Sequence, residues 1–126
     1  MPRNTEQLDN GVGRPMTFQE SPYIFRASTA PLVTESPVLK AKEAHMPDGM
    51  IVRIQERSPG GAARTTWCAT GHTAYILSGR LRYEFPDHDV EAGPGDICHT
   101  PAGFEHRHRP HVVGDEVVRY FITEFS

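Results

Sequence analysis

From about residue 50 onward, apolar and polar positions alternate with a period of two. The stretch MIVRIQER (50 to 57) sets Met50, Val52 and Ile54 against Ile51, Arg53, Gln55 and Arg57, the pattern of a half-buried strand. SPGG then closes it as a turn. TAYILSG (73 to 79) and RLRYEF (80 to 85) follow, the second with Leu81, Tyr83 and Phe85 opposite Arg80, Arg82 and Glu84, and the Ser78-Gly79 step between them predicts a hairpin. A short strand in PDHDVEAGPGD, a brief ICHTP stopped by Pro101, an alternating EHRHR and a long final strand EVVRYFITEF complete the series. Before residue 50, YIF, PLVTESPVLKAKEA and HMPDG read as extended pieces broken by Pro22, Pro31, Pro37 and Pro47.

No ten-residue stretch carries a capped 3.6-residue period, so helix is minor or absent. Short strands separated by Gly and Pro, 11 of each spread along the chain, predict an all-β sandwich or closed barrel. At 126 residues the chain has the length of one domain. Residues 1–20 are polar and interrupted by NGVGRP, which predicts a flexible or partner-contacting arm ahead of a barrel over 21–126.

A net charge of −3 and the lack of a Lys/Arg run exclude the usual electrostatic footprint of a nucleic-acid binder. No apolar run approaches the roughly 18 residues that span a bilayer, and MPRNTEQLDN lacks the apolar core of a signal peptide, so the expectation is a cytoplasmic, soluble protein. Cys68 and Cys98 make at most one disulfide, and in a reducing cytosol thiols serve more often as packing groups, ligands or nucleophiles. No Gly-x-Ser-x-Gly, phosphate-cradling Gly loop or Cys-x-x-Cys is present.

The stretch GPGDICHTPAGFEHRH resembles the second conserved motif of the cupins: Gly95, five residues, Pro101, one residue, Gly103, two residues, His106. Pro110 replaces the Asn that often follows. The first cupin motif lies over Gly60 to Gly79 without a gap, but its two His positions fall on Thr66 and Cys68 and its Glu position on His72. The resemblance spans about residues 50 to 126. It implies a jelly-roll β-barrel with an internal site, commonly a homodimer, often holding Fe, Mn, Ni or Zn.

On that resemblance Cys68, His72 and His106 form a metal set, and a Cys-His-His shell suits Zn²⁺ or Fe²⁺ while leaving open positions for water or substrate. Each has a plainer alternative: Cys68 as a buried apolar group beside Trp67, His72 as the start of a strand, His106 as a hydrogen-bonded lining residue. His99, His108 and Tyr83 are candidates for acid/base work. Arg53, Gln55, Thr66, Trp67 and Phe104 are candidate pocket residues, with an inward Arg suited to a carboxylate or phosphate. Three functions are open. The first is a metal-dependent enzyme moving a proton in a small oxygenated metabolite, as isomerase, cyclase or lyase. The second is a ligand-binding cupin with a decayed metal shell, and the third an Fe-dependent dioxygenase or metal-free epimerase.

Overall fold

The structure, a computed structural model, describes residues 21–60 and 66–125. The expected N-terminal arm lies outside the described residues, as does part of the first motif, 61–65. Nine strands follow in chain order: β1 (Val33–Ser36), β2 (Leu39–His45), β3 (Ile51–Arg57), β4 (Gly71–Ser78), β5 (Leu81–Glu84), β6 (Asp89–Ala92), β7 (Ile97–Thr100), β8 (Arg109–Val112) and β9 (Val118–Phe125). The one helical piece among the described residues is a 3-10 turn, Phe104–His106, and no helix there is long and apolar enough to cross a membrane. The protein is thus all-β, as the alternation predicts.

The strands form a six-stranded antiparallel sheet, β1-β2-β3-β9-β4-β7, and a three-stranded one, β6-β5-β8. Their inner faces meet in a core of Ala74, Ile76, Leu81, Tyr83, Ala92, Val118, Tyr120 and Ile122, giving a jelly-roll barrel. Antiparallel pairing between β4 and β9 sets Ala74 opposite Ile122 and Ile76 opposite Tyr120, so the alternation of both strands puts their apolar residues on one face. Tyr75 and Phe121 fall on the other.

Two expectations are corrected. Ser78-Gly79 is not a hairpin, because β4 pairs with β7 and β9 while β5 pairs with β6 and β8. Gly79, at φ +82, instead carries the chain from one sheet to the other, passing so close to Val118 that a Cβ would lie 2.9 Å from its Cα. The stretch EHRHR is not a continuous strand either. It opens as the 3-10 turn, and β8 starts only at Arg109.

β3 carries the finding that decides where the site lies. Its polar face, Arg53, Gln55 and Arg57, is buried, while Val52, Ile54 and Glu56 are only partly so. A strand alternation shows that two faces differ, not which one faces the core. Here the charged face points into the barrel.

Candidate functional site

The inner face of the larger sheet changes character along its strands. Around Ile76 and Val118 it is apolar. Toward the other end the register sets Arg53 beside Ile122, and His72 beside Glu124. A cavity of about 260 Å³ opens there, lined by Arg53, Gln55 and Arg57 from β3, Cys68, His72 from β4, Tyr83 from β5, His108, and Tyr120 and Glu124 from β9, with Glu35 from β1.

Cys68 and His108 owe their places to each other. The two residues exchange backbone hydrogen bonds, Cys68 N to His108 O at 2.9 Å and His108 N to Cys68 O at 3.0 Å, in an isolated antiparallel bridge. Directly opposed residues of such a pair present their side chains on one face. With His72 they bring one thiol and two imidazoles together, every donor atom within 4.8 Å of the others.

The hydrogen bonds fix which ring nitrogens carry hydrogen. His108 Nδ1 lies 3.0 Å from the backbone oxygen of His106, an atom that can only accept, so Nδ1 donates and Nε2 keeps its lone pair. His72 Nε2 lies 3.2 Å from Glu124 Oε2 and donates to that carboxylate. The remaining nitrogens, His108 Nε2 and His72 Nδ1, face each other at 3.2 Å. Two lone pairs cannot stably meet at that distance; a proton or a cation must lie between them.

The charge states place a proton in that gap at neutral pH, where a doubly protonated His72 donates from Nδ1 to His108 Nε2. Hydrogen bonds with His108 and then His72 draw the Cys68 thiol down to about 5. Burial opposes a charge on His72, but bonds to Cys68 and Glu124 outweigh it and lift the ring to about 9. Glu124 is held below the ordinary carboxylate range by its bond to His72. Burial raises the Tyr83 and Tyr120 phenols, which stay neutral proton donors.

The donor set fits a metal. Two imidazole nitrogens bound to one tetrahedral zinc at about 2.0–2.1 Å stand roughly 3.3 Å apart, and the two here are at 3.2 Å. The Cys68 sulfur completes the set, with one ligand atom from each of the three residues within 4.8 Å of the others. Each histidine also has the outer acceptor typical of a metal-bound imidazole, a carboxylate for His72 and a backbone carbonyl for His108.

Of the residues expected from sequence, Arg53, Gln55, Cys68, His72, Tyr83 and His108 line this one cavity. His106 does not join them: it ends the 3-10 turn with its ring 43% exposed, and it is His108, two residues on, that the bridge to Cys68 turns inward. His99 lies on the outer face of β7, hydrogen-bonded to Thr73 Oγ1 at 2.8 Å and stacked on Phe125. Thr66 is exposed, and Phe104 is 66% exposed with the Arg107 guanidinium over its ring. Trp67 stacks on Arg109 at 3.9 Å, outside the cavity lining. Sequence reasoning missed Arg57, Tyr120, Glu124 and Glu35. For the first three the signal was present, since each continues the inward alternation of β3 or β9 once Arg53 or Ile122 is known to face inward. Glu35 offered none.

A two-sheet jelly roll with a polar internal pocket that holds Cys68, His72 and His108 defines the broad class. The chain belongs to the cupin family: the family model described as "Cupin domain" matches residues 53–124, more than half of its length. No curated protein matches it in sequence. Among solved structures it is similar to a protein of unknown function from Rhizobium leguminosarum (TM-score 0.62, 19% identity, covering 87% of this chain and 98% of that one). It is similar also to KdgF from a Halomonas species (TM-score 0.63, 16% identity, 80% and 93% covered). A third is the polyketide cyclase RemF from Streptomyces resistomycificus (TM-score 0.62, 21% identity, 80% and 77% covered). At these identities the likeness is one of fold.

Proposed function

We propose that this cupin is a small metal-binding enzyme in which Cys68, His72 and His108 hold one divalent ion, Zn²⁺ or Fe²⁺, and which moves a proton within a small oxygenated metabolite. The observation that carries the reading is the 3.2 Å approach of His108 Nε2 and His72 Nδ1, each ring already committed on its other side to an acceptor. A divalent cation can take the place of the proton in that gap, because the neighbouring Cys68 thiolate offers a third donor. When bound, the ion would act as a Lewis acid on a carbonyl or enolate oxygen. The chain supplies the rest. Tyr83, 3% exposed and packed edge-on against His108, presents a neutral phenol at the cavity as proton donor, while Glu124 orients His72. Isomerase, cyclase or lyase chemistry fits these parts, and the fold-level likeness to a polyketide cyclase is compatible with it.

The test is elemental analysis of protein purified without chelator or added metal. About one Zn or Fe per chain, much reduced in Cys68→Ser, supports the reading. Metal-free protein that neither gains stability on adding Zn²⁺ nor binds it refutes it.

We also infer a homodimer. Ile97, Tyr75 and Phe121 form one cross-strand row on the outer face of the larger sheet, 69%, 42% and 37% exposed. A second copy of the same face is the partner of matching chemistry for an uncharged row of this kind.

A further inference from the structure

The cavity's charged groups do not all have partners. Arg53 is ion-paired to two carboxylates, Glu35 at 2.5 Å and Glu43. Glu124 is paired with His72. Arg57 differs: it is 8% exposed, its Nε donates to the neutral Tyr120 hydroxyl at 3.2 Å, and among the described residues no carboxylate pairs with it. Two positions earlier on the same strand face, Gln55 is 5% exposed and its amide makes no hydrogen bond to a described residue. Both side chains line the cavity. Arg57 is thus the charged side chain of the wall that no described carboxylate answers, and with the Gln55 amide beside it the cavity offers free donors to an incoming acceptor.

We infer that Arg57 and Gln55 form the anchoring end of a substrate site and that the substrate is a small monocarboxylate bearing a second oxygen. Arg57's terminal nitrogens take the carboxylate, and the Gln55 amide reaches the adjacent oxygen. The charge balance selects the class. One guanidinium is unanswered, whereas Glu35 and Glu124 border the same space, so a single negative charge is welcome and a phosphate dianion is repelled. Size points the same way, since about 260 Å³ falls below the roughly 300–1,000 Å³ of pockets that take drug-sized ligands. Cys68, His72 and His108 belong to the same lining, so a molecule held by its carboxylate at Arg57 turns its remaining oxygens toward them. This assignment rests on the proposed function only for what happens at that second end; the carboxylate anchor stands without a metal.

The experiment is a titration of the full-length protein, both zinc-loaded and chelator-treated, followed by calorimetry and amide NMR. The probes are pyruvate, lactate and glycolate, with pyruvamide as the uncharged counterpart and inorganic phosphate as the competing anion. Wild-type protein is expected to bind at least one of the three acids, and pyruvate at least about tenfold more tightly than pyruvamide or phosphate. Arg57→Met should lose about tenfold or more in affinity for the acids at unchanged metal content. The comparison of acid with amide needs no variant, so a misfolded Arg57→Met leaves the inference testable. Equal affinity for pyruvate and pyruvamide, tighter binding of phosphate, binding of no acid at tens of millimolar, or an unaffected folded Arg57→Met overturns it. Arg57-dependent acid binding by a protein that holds no metal would refute the metal reading and leave the anchor standing.

Discussion

Replacing His108 and His106 separately by alanine separates the structure from the motif spacing, because the spacing assigns the metal to one and the geometry to the other. His108 is 1% exposed and touches the rings of Tyr83 and Phe85 at 5.5 and 6.0 Å. Truncating a buried aromatic side chain costs about 3–5 kcal/mol. An imidazole is smaller than phenyl and its site borders an open cavity, so His108→Ala should destabilise by about 2–3 kcal/mol, including the bond from Nδ1 to the His106 carbonyl. Its effect on metal is larger. Outer-sphere changes alone weaken metal sites about 10- to 100-fold, so removing one of three ligands should exceed a hundredfold. His106→Ala removes a ring that is 43% exposed and keeps the backbone carbonyl, the one atom of His106 that the site uses. It should stay within about 0.5 kcal/mol of the parent and retain its metal. Urea unfolding and competition with a zinc-binding dye read both quantities. Metal lost from His106→Ala and kept by His108→Ala would refute the reasoning.

Three further outcomes are expected. In metal-free protein, the Cys68 thiolate forms as pH rises through about 5, so iodoacetamide labelling should climb across that pH and then level until His72 loses its proton near 9. Cys98, whose thiol is pushed up by burial, serves as the slow internal reference, and a Cys68 midpoint like that of an ordinary thiol, about 8.5, would break the thiolate-imidazolium pairing. Gly79→Ala meets Val117 O at 2.8 Å at φ +82, whereas Gly49→Ala has open space at φ +90. The first should lose about 2–4 kcal/mol by urea unfolding and the second about 1, and equal losses would mean that the backbone contact is not what Gly79 relieves. Tyr75→Arg, placed in the exposed row between Ile97 and Phe121, should shift a light-scattering mass from dimer to monomer; an unchanged mass would remove that face as the interface.

The fold was legible because strand periodicity and the Gly and Pro turns are local signals, and because Gly95, Pro101 and Gly103 keep the spacing of a family motif. What was not legible was the third dimension of each strand. Period two separates Arg53, Gln55 and Arg57 from Val52 and Ile54 but does not say which set faces inward, and a charged inner face contradicts the default. The same gap explains His106 and His108. Alternation puts both on one face of a strand, but the 3-10 turn over Phe104–His106 breaks the strand between them, and only the Cys68–His108 bridge fixes the sense. His99 shows the limit again, since which sheet neighbours flank it depends on β7 joining the outer edge beside β4.

Stability and function occupy different lengths of the same strands. On β4, Ala74 and Ile76 belong to the apolar core and His72 to the site, within five consecutive residues. On β9, Val118, Tyr120 and Ile122 are core while Glu124 orients His72. The apolar half supplies burial that does not depend on any ligand. The polar half costs stability where buried groups are only partly compensated: the close pair of ring nitrogens of His72 and His108, and an Arg57 guanidinium that no described carboxylate answers, with Gln55 beside it. Evolution could remove each by a hydrophobic substitution that would leave the barrel more stable. Their presence together around one cavity is accounted for if ligands that the chain does not contain bind there, a cation at one end and an anion at the other. Metal and carboxylate should then stabilise the protein independently when added singly, and by more than the sum when one molecule engages both ends.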